Sequence, residues 1–398
     1  MSNAERQTEF SDRSGIAGAA GRVLVVKVGT STLTDASGRV DVAYLQGFAS
    51  QLATLRERGI KPIVVTSGSI ACGLEALGMA ERPTDTPSLQ AAASVGTIEL
   101  SRLYSEAFAK EGVLASSILL TRNDTKHRSS YLHARDTLQR LLELDVVPII
   151  NENDTVSVEQ IRFGDNDTLC ALVACLVKAD EAVIFSDIEG LYDKNPSTHD
   201  DARLIPLVEA IGPDIMAMAE GPGTKRGSGG MITKIRAARV LLTAGIPMTI
   251  CHGRRPNALT DIAAGKRVGT RFANSSAPHE ITPRKLWIAL GDTARGSIVV
   301  DDGARRALVE QGSSLLPVGA VEVGGDFEEG DVVDIVDARG YLFARGRAGA
   351  SSDEARLACG RTQRELEGNR LLAHLADRPL VHRDELIVFE ERSVPAFG

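Results

Sequence analysis

Aromatic side chains are scarce in this chain: Phe, Trp and Tyr together make up 4% of its 398 residues, with a single Trp. Stacking platforms for single-stranded nucleic acid need such rings, so that class of function is not advertised. Positive charge is also short. Lys and Arg number 45 against 53 Asp and Glu, a formal net charge of −8, and the isoelectric point is near 5.5. That balance argues against general binding to a phosphate backbone, while leaving room for a local basic groove. The five cysteines (Cys72, Cys170, Cys175, Cys251, Cys359) include no Cys-x-x-Cys pair. Such an odd, scattered set reads as reduced thiols in a cytoplasmic protein, not as a disulfide frame or zinc site. No apolar run is long enough to cross a bilayer. Two familiar phosphate-binding signatures are missing as well: no Gly-x4-Gly-Lys-Ser/Thr string occurs, and no Gly-x-Gly-x-x-Gly opens a helix.

What is present is an ordinary globular composition, 43% apolar and 25% charged, at a length where two domains are the natural expectation. Residues 1–21 mix Ser, Ala, Gly and charges without an apolar core, and read as a disordered tail that is neither a signal peptide nor a membrane span. From Arg22 to about Arg271, short β-branched runs alternate with helical stretches. Val23–Val28, Lys61–Val65, Val113–Leu120, Val146–Ile150, Ala182–Phe185 and Pro247–Ile250 read as strands. Helical stretches at 42–58, 88–110, 130–143, 168–178 and 230–244 lie among them. That alternation predicts crossover connections and a mainly parallel sheet covered on both faces, a three-layer αβα sandwich. Small polar residues and prolines at 274–283 form a linker between a first domain at 22–273 and a second at 284–375, followed by a C-terminal segment at 376–398. The second domain reads as a small, mostly-β barrel: strands at Trp287–Leu290, Gly296–Val300, Val332–Val336 and Tyr341–Ala344, one helix at Asp302–Gln311, and an acidic run Asp326–Asp334 as a solvated loop face.

Ligands in parallel α/β sheets bind at the carboxyl ends of the strands, so the residues just after each strand carry the functional signal. The first strand ends in Lys27-Val-Gly-Thr-Ser31. A lysine inside an apolar strand either meets an anion or carboxylate, or points to solvent from a sheet edge. Val65-Thr-Ser67-Gly-Ser-Ile70 turns from a strand into a helical run and offers N–H groups and hydroxyls to an anion, as a plain turn also would. Asn151-Glu-Asn-Asp154 either clasps an ammonium group or a metal, or builds an Asx turn. Asp165-Asn166-Asp167 opens an apolar helix and exceeds what one cap requires, and a carboxylate there could sit between two lysines. Ser186-Asp187 follows another strand. Last comes Gly227-Ser-Gly-Gly-Met-Ile-Thr-Lys234, opening an amphipathic helix: its N–H groups, the helix dipole and a lysine converge as an anion cradle, or else form a flexible turn with a solvated lysine.

Taken in order, the strings VVKVGTS, VVTSGSIACG, ILLTRND, VVPIINEND, FGDNDTL, SDIEGLYDKNP and GSGGMITK resemble the amino acid kinase family, and within it the enzymes that phosphorylate glutamate. GSSLLPVGA with GDFEEGDVVDI resembles a PUA domain. The resemblance implies transfer of the ATP γ-phosphoryl group, with Mg2+, to the side-chain carboxylate of L-glutamate, the first step of proline biosynthesis. By matching position it implies catalytic roles for Lys27, Lys234, Asp167 and Asp165, with Asp167 orienting the two lysines. It implies glutamate binding by Ser67, Asp154, Asn166 and Asn151. Nucleotide binding falls to Lys27, Ser186, Asp187, Ser228, Gly229, Gly230, Met231, Ile232, Thr233 and Lys234, with no protein metal site. Also implied are feedback inhibition by proline, a homo-oligomer (dimer or tetramer), hand-off to glutamyl phosphate reductase, and a cytoplasmic location. Two alternatives stay open: a sister kinase acting on acetylglutamate, aspartate, carbamate or a nucleotide, and an RNA-binding protein, given the PUA-like tail.

Overall fold

The strand β1 (Val23–Val28) is buried along almost its whole length, as an interior strand of a sheet covered on two sides must be. Its alternation sorts side chains to the two faces. Leu24, Val26 and Val28 join a core with Leu45, Phe48, Leu52 and Leu55 of the helix α2 (Val42–Glu57). The opposite face carries Val25 and Lys27, over which the helix α6 (Asn166–Val177) packs. A computed structural model describes residues 21–121, 128–156, 166–220, 230–274, 281–290 and 294–389. The tail at 1–20, most of the linker and residues 390–398 lie outside them.

One compact unit holds an eight-stranded sheet, and a second holds a five-stranded one. The remaining strands of the first are β2 (Lys61–Thr66), β3 (Ala115–Leu120), β4 (Val147–Glu152), β5 (Glu181–Ser186), β6 (Leu207–Val208), β7 (Met248–His252) and β8 (Thr270–Phe272). Their order is β3-β4-β2-β1-β5-β7-β8-β6. Pairing is parallel throughout except between β7 and β8. The mainly parallel αβα expectation therefore holds. Lys27 pairs with Val65 on one side and Ile184 on the other. It lies on an interior strand and is 6% exposed, so the edge-strand alternative falls.

Helix α6 is buried on all sides, which fits its near-absence of polar residues beyond the first turn. The helices α3 (Ser69–Ala76) and α4 (Thr86–Lys110) cross closely. A Cβ built on Gly73 would stand 1.8 Å from the Ala92 carbonyl oxygen, and one on Gly96 would stand 1.8 Å from that of Ser69. Both positions therefore require glycine for space, not for backbone conformation. Among the described residues no helix is long and apolar enough to cross a membrane.

The second unit has the order β10-β9-β11-β12-β13, with β9 (Gly296–Val300), β10 (Ala320–Gly325), β11 (Val332–Val336), β12 (Leu342–Ala348) and β13 (Val381–Val388). Here pairing is antiparallel except between β9 and β11. Ile298, Val300, Val333, Ile335, Phe343 and Val381 form its core, closed by Leu308, Ala355 and Leu366 from helices. Two expectations need correcting. The strand expected at Trp287–Leu290 is the end of a helix, Pro283–Leu290. Thr282 accepts the first helical bonds, proline suits the first helical position, and buried Leu286 and Leu290 share one helical face. A four-residue apolar run shows no period of its own, so sequence alone mistook it. The acidic run is likewise not all solvated: Phe327 within it is buried, and Asp334 lies in β11 paired with Arg345 at 2.7 Å.

Gly73→Ala is expected to lower stability by about 1–3 kcal/mol through backbone collision. Gly47→Ala, in an exposed helical position with open space around it, is expected to raise it by about 0.5–1 kcal/mol. Urea midpoints of the two variants measure both, and similar midpoints would contradict the close crossing.

Candidate active site

The sheet's carboxyl edge gathers the charges. Asp167 stands in the first turn of α6 and is fully buried. Its Oδ1 lies 2.8 Å from Lys27 Nζ, and its Oδ2 lies 3.1 Å from Lys234 Nζ. The Thr233 hydroxyl donates to the same Oδ2 at 2.7 Å, with the Gly230 carbonyl also in reach at 2.8 Å. Thr233 and Lys234 open the helix α8 (Met231–Thr243), whose N-cap is Gly230. One carboxylate thus meets two ammonium groups, and the amino ends of two helices add positive potential beside them. Burial alone would push the Asp167 carboxyl up, but the charges of Lys27 and then Lys234, with bonds from Lys27 and Thr233, hold it well below the usual carboxylate range. Gly29 keeps one side of this centre open: a Cβ there would stand 3.2 Å from Lys27 Nζ.

The preceding residue, Asn166, faces a second cluster. Its Nδ2 lies 2.5 Å from the Thr66 carbonyl, 2.8 Å from Ser67 Oγ and 3.1 Å from Asn151 Oδ1, so two hydrogens serve three acceptors. Thr66 is itself fixed by its hydroxyl, 2.8 Å from the Tyr104 Oη of α4. Gly68 adopts φ +107° between β2 and α3, a conformation suited to glycine. Asp154, half-buried after β4, accepts a 3.0 Å bond from Ser69 Oγ. Burial raises its pKa, opposed by the Ser69 bond and the charge of Arg82.

At the end of β5, Ser186 Oγ donates to Asp187 Oδ1 at 3.2 Å, and the Ser186 carbonyl accepts from Gly253 N at 2.9 Å. Ser186 is buried and Asp187 exposed. Lys27, Asp167, Thr233 and Lys234 thus form one group and Ser67, Asn151 and Asn166 an adjacent one, while Asp154 bonds Ser69, two residues after Ser67. Gly230, Met231 and Ile232 lie at the start of α8. Asp165, Ser228 and Gly229 lie outside the described residues. The sequence assigns Thr233 to the nucleotide but does not show the bond its hydroxyl makes to Asp167. It also missed Ser69, whose only signal was a second hydroxyl in Ser67-Gly-Ser69 after a strand.

The model of the amino acid kinase family matches residues 22–252, and that of the PUA domain matches residues 296–368. The chain belongs to the amino acid kinase family. A protein from Caldanaerobacter subterraneus named Glutamate 5-kinase is 43% identical over 367 residues, covering 92% of this chain and 98% of that one. Another of that name, from Anaeromyxobacter dehalogenans, is 44% identical over 370 residues, covering 92% and 96%. Within the family, the chain groups with the glutamate 5-kinases. The solved carbamate kinase from Giardia lamblia bound to AMP-PNP is 16% identical, covers 64% of this chain and 99% of that one, and has a TM-score of 0.48, a likeness too loose to bear on the site.

Asp167→Asn would leave two lysines facing each other without their carboxylate, and is expected to cost about 3–5 kcal/mol of stability at neutral pH. Because the folded Asp167 carboxyl titrates below its ordinary value of 3.8, its contribution is complete above that value and is lost progressively below it, as pH falls toward and through the lower folded value. The gap between wild type and variant should therefore shrink on acidification. Denaturation midpoints at stepped pH test this, and a gap constant with pH would contradict the ion-pair account.

Proposed function

We propose that the chain transfers the γ-phosphoryl group of ATP to the side-chain carboxylate of L-glutamate. The observation that carries this reading is the buried Lys27–Asp167–Lys234 centre, beside a carboxamide and hydroxyl cluster, in a chain that groups with glutamate 5-kinases. A carboxylate acceptor, with an unperturbed pKa of about 4.3, is already ionised at neutral pH and needs no general base. The difficulty is bringing one anion up to another. Lys27 and Lys234 place positive charge around the transferring group as the bond from phosphorus to the β–γ bridging oxygen breaks and one to the carboxylate oxygen forms. ADP leaves and an acyl phosphate remains. Asp167 keeps the two ammonium groups apart and aimed without cancelling both. Asp165 supports it.

In this reading Ser67, Asn151 and Asn166 position the glutamate, and Asp154 pairs with its ammonium group. Ser186, Asp187 and the run Ser228 to Lys234 hold the nucleotide. Among the described residues no three His, Cys, Asp or Glu side chains gather as a metal site. Mg2+ keeps its waters and favours phosphate oxygens, and for that reason is assigned to ATP, where it supplies further positive charge. The same reading includes inhibition by proline, assembly into dimers or tetramers, a cytoplasmic location, and delivery of the labile acyl phosphate to a reductase.

Lys27→Ala and Lys234→Ala are each expected to lower kcat by two to three decades, about 3–4 kcal/mol of barrier. Trapping the acyl phosphate as a hydroxamate measures this with glutamate and ATP, and adding proline tests the inhibition. Asp154→Asn is expected to raise the glutamate KM far more than the ATP KM. ADP release with acetylglutamate, aspartate, carbamate or a nucleotide exceeding that with glutamate would overturn the acceptor assignment.

A further inference from the structure

We propose that Ser69 is a positioning residue for the amino-acid acceptor: its hydroxyl holds the Asp154 carboxylate in the orientation that receives the substrate ammonium group. The inference rests on the role given to Asp154 above. Ser69 is 3% exposed, and its Oγ lies 3.0 Å from Asp154 Oδ2, joining segments 85 residues apart in sequence. A serine in a first helical turn commonly bonds nearby backbone, but this hydroxyl is directed across to the end of another strand.

The placement is imposed by backbone packing. A Cβ on Gly96 would lie 1.8 Å from the Ser69 carbonyl oxygen and 2.4 Å from the Gly73 nitrogen. The chain at Ser69 is therefore clamped against a 25-residue helix that Tyr104 also ties to Thr66 at the end of β2. On its other side Gly68, at φ +107°, sets the turn into α3. Ser69 Oγ is carried by a backbone held from two directions, and a carboxylate bonded to it inherits that fixity. The second oxygen of Asp154 is left to meet the acceptor.

Charge points the same way. Asp154 is influenced by Ser69 from α3 and by Arg82 from the connection between α3 and α4. Burial favours its neutral form, and the Ser69 bond favours the carboxylate. An ammonium group is recognised by the carboxylate. Removing the hydroxyl should therefore loosen the orientation and move protonation of Asp154 to higher pH.

Steady-state kinetics of the full chain test this with wild type, Ser69→Ala, Asp154→Asn and the double variant over a range of pH. Ser69→Ala is expected to lower kcat/KM for glutamate about tenfold, the scale of one hydrogen bond to a charged group. The ATP KM, which reports an intact fold, should stay within about twofold. The acid limb of the glutamate profile should move to higher pH. In the Asp154→Asn background, adding Ser69→Ala should change kcat/KM by less than about twofold, because the two act through one interaction. An equal loss in both backgrounds, or an acid limb unmoved, would overturn the proposal while leaving Asp154 in its role. An Asp154→Asn enzyme with normal glutamate kinetics would instead remove the Asp154 role, and the proposal with it.

Discussion

The first unit depends on one buried ion group, Asp167 between Lys27 and Lys234. Three charges that are almost or fully inaccessible to water are tolerable only when they meet one another at hydrogen-bond distance. That demand constrains the fold. Strand β1 must lie inside the sheet, α6 must cross the face that carries Lys27, and α8 must lay its first turn against that of α6. Residues separated by 140 and 67 positions are thereby held within about 3 Å of one carboxylate, a contact whose charge-assisted character gives it both strength and direction. Asp167 meets both lysines at once, so the same three side chains that join these elements are the ones proposed to face the transferring phosphoryl group.

Position along the sheet sets the order of these groups. In the order β4-β2-β1-β5, Asn151 and Asp154 lie at or just past the end of β4, Ser67 follows β2, Lys27 lies near the end of β1 and Ser186 ends β5. The proposed acceptor groups, the lysine centre and the proposed nucleotide groups therefore follow one another across four adjacent strand ends. Asn166 and Asp167 make the junction compact: consecutive residues at one helix start, one bonded toward the acceptor cluster and the other toward the lysines. In the proposed transfer between two anions, that junction is what holds acceptor and donor groups in register.

Much of this arrangement was legible in the sequence, and what was not had a physical cause. Continuous β-branched runs alternating with helical periods identified six of the eight strands of the first unit, because parallel strands buried on both faces admit few other residue types; the short β6 and β8 carry no such run. The switch-point rule directed attention to Lys27, Ser67, Asp154, Asp167 and Ser186. In the second unit, the four apolar residues Trp287–Leu290 fit either period, and the threonine and proline shortly before them read as linker, so the helix is not legible there. Ser69 escaped notice because its significance lies in Asp154, far along the chain. Gly73 and Gly96 sit in helical sequence like any substitutable residues until α3 and α4 are seen to touch backbone to backbone.

By itself, the sequence determined the class of fold, the strand ends at which chemistry would sit, and a set of residues matching the amino acid kinase family. Those properties are local, written in hydrophobic period, turn chemistry and short motifs. Only the tertiary structure decided that Lys27 is interior, that Thr233 joins Lys234 on Asp167, and that Ser69 reaches Asp154. Each of these depends on strand order and helix crossing, set by long-range packing, which no window of sequence contains.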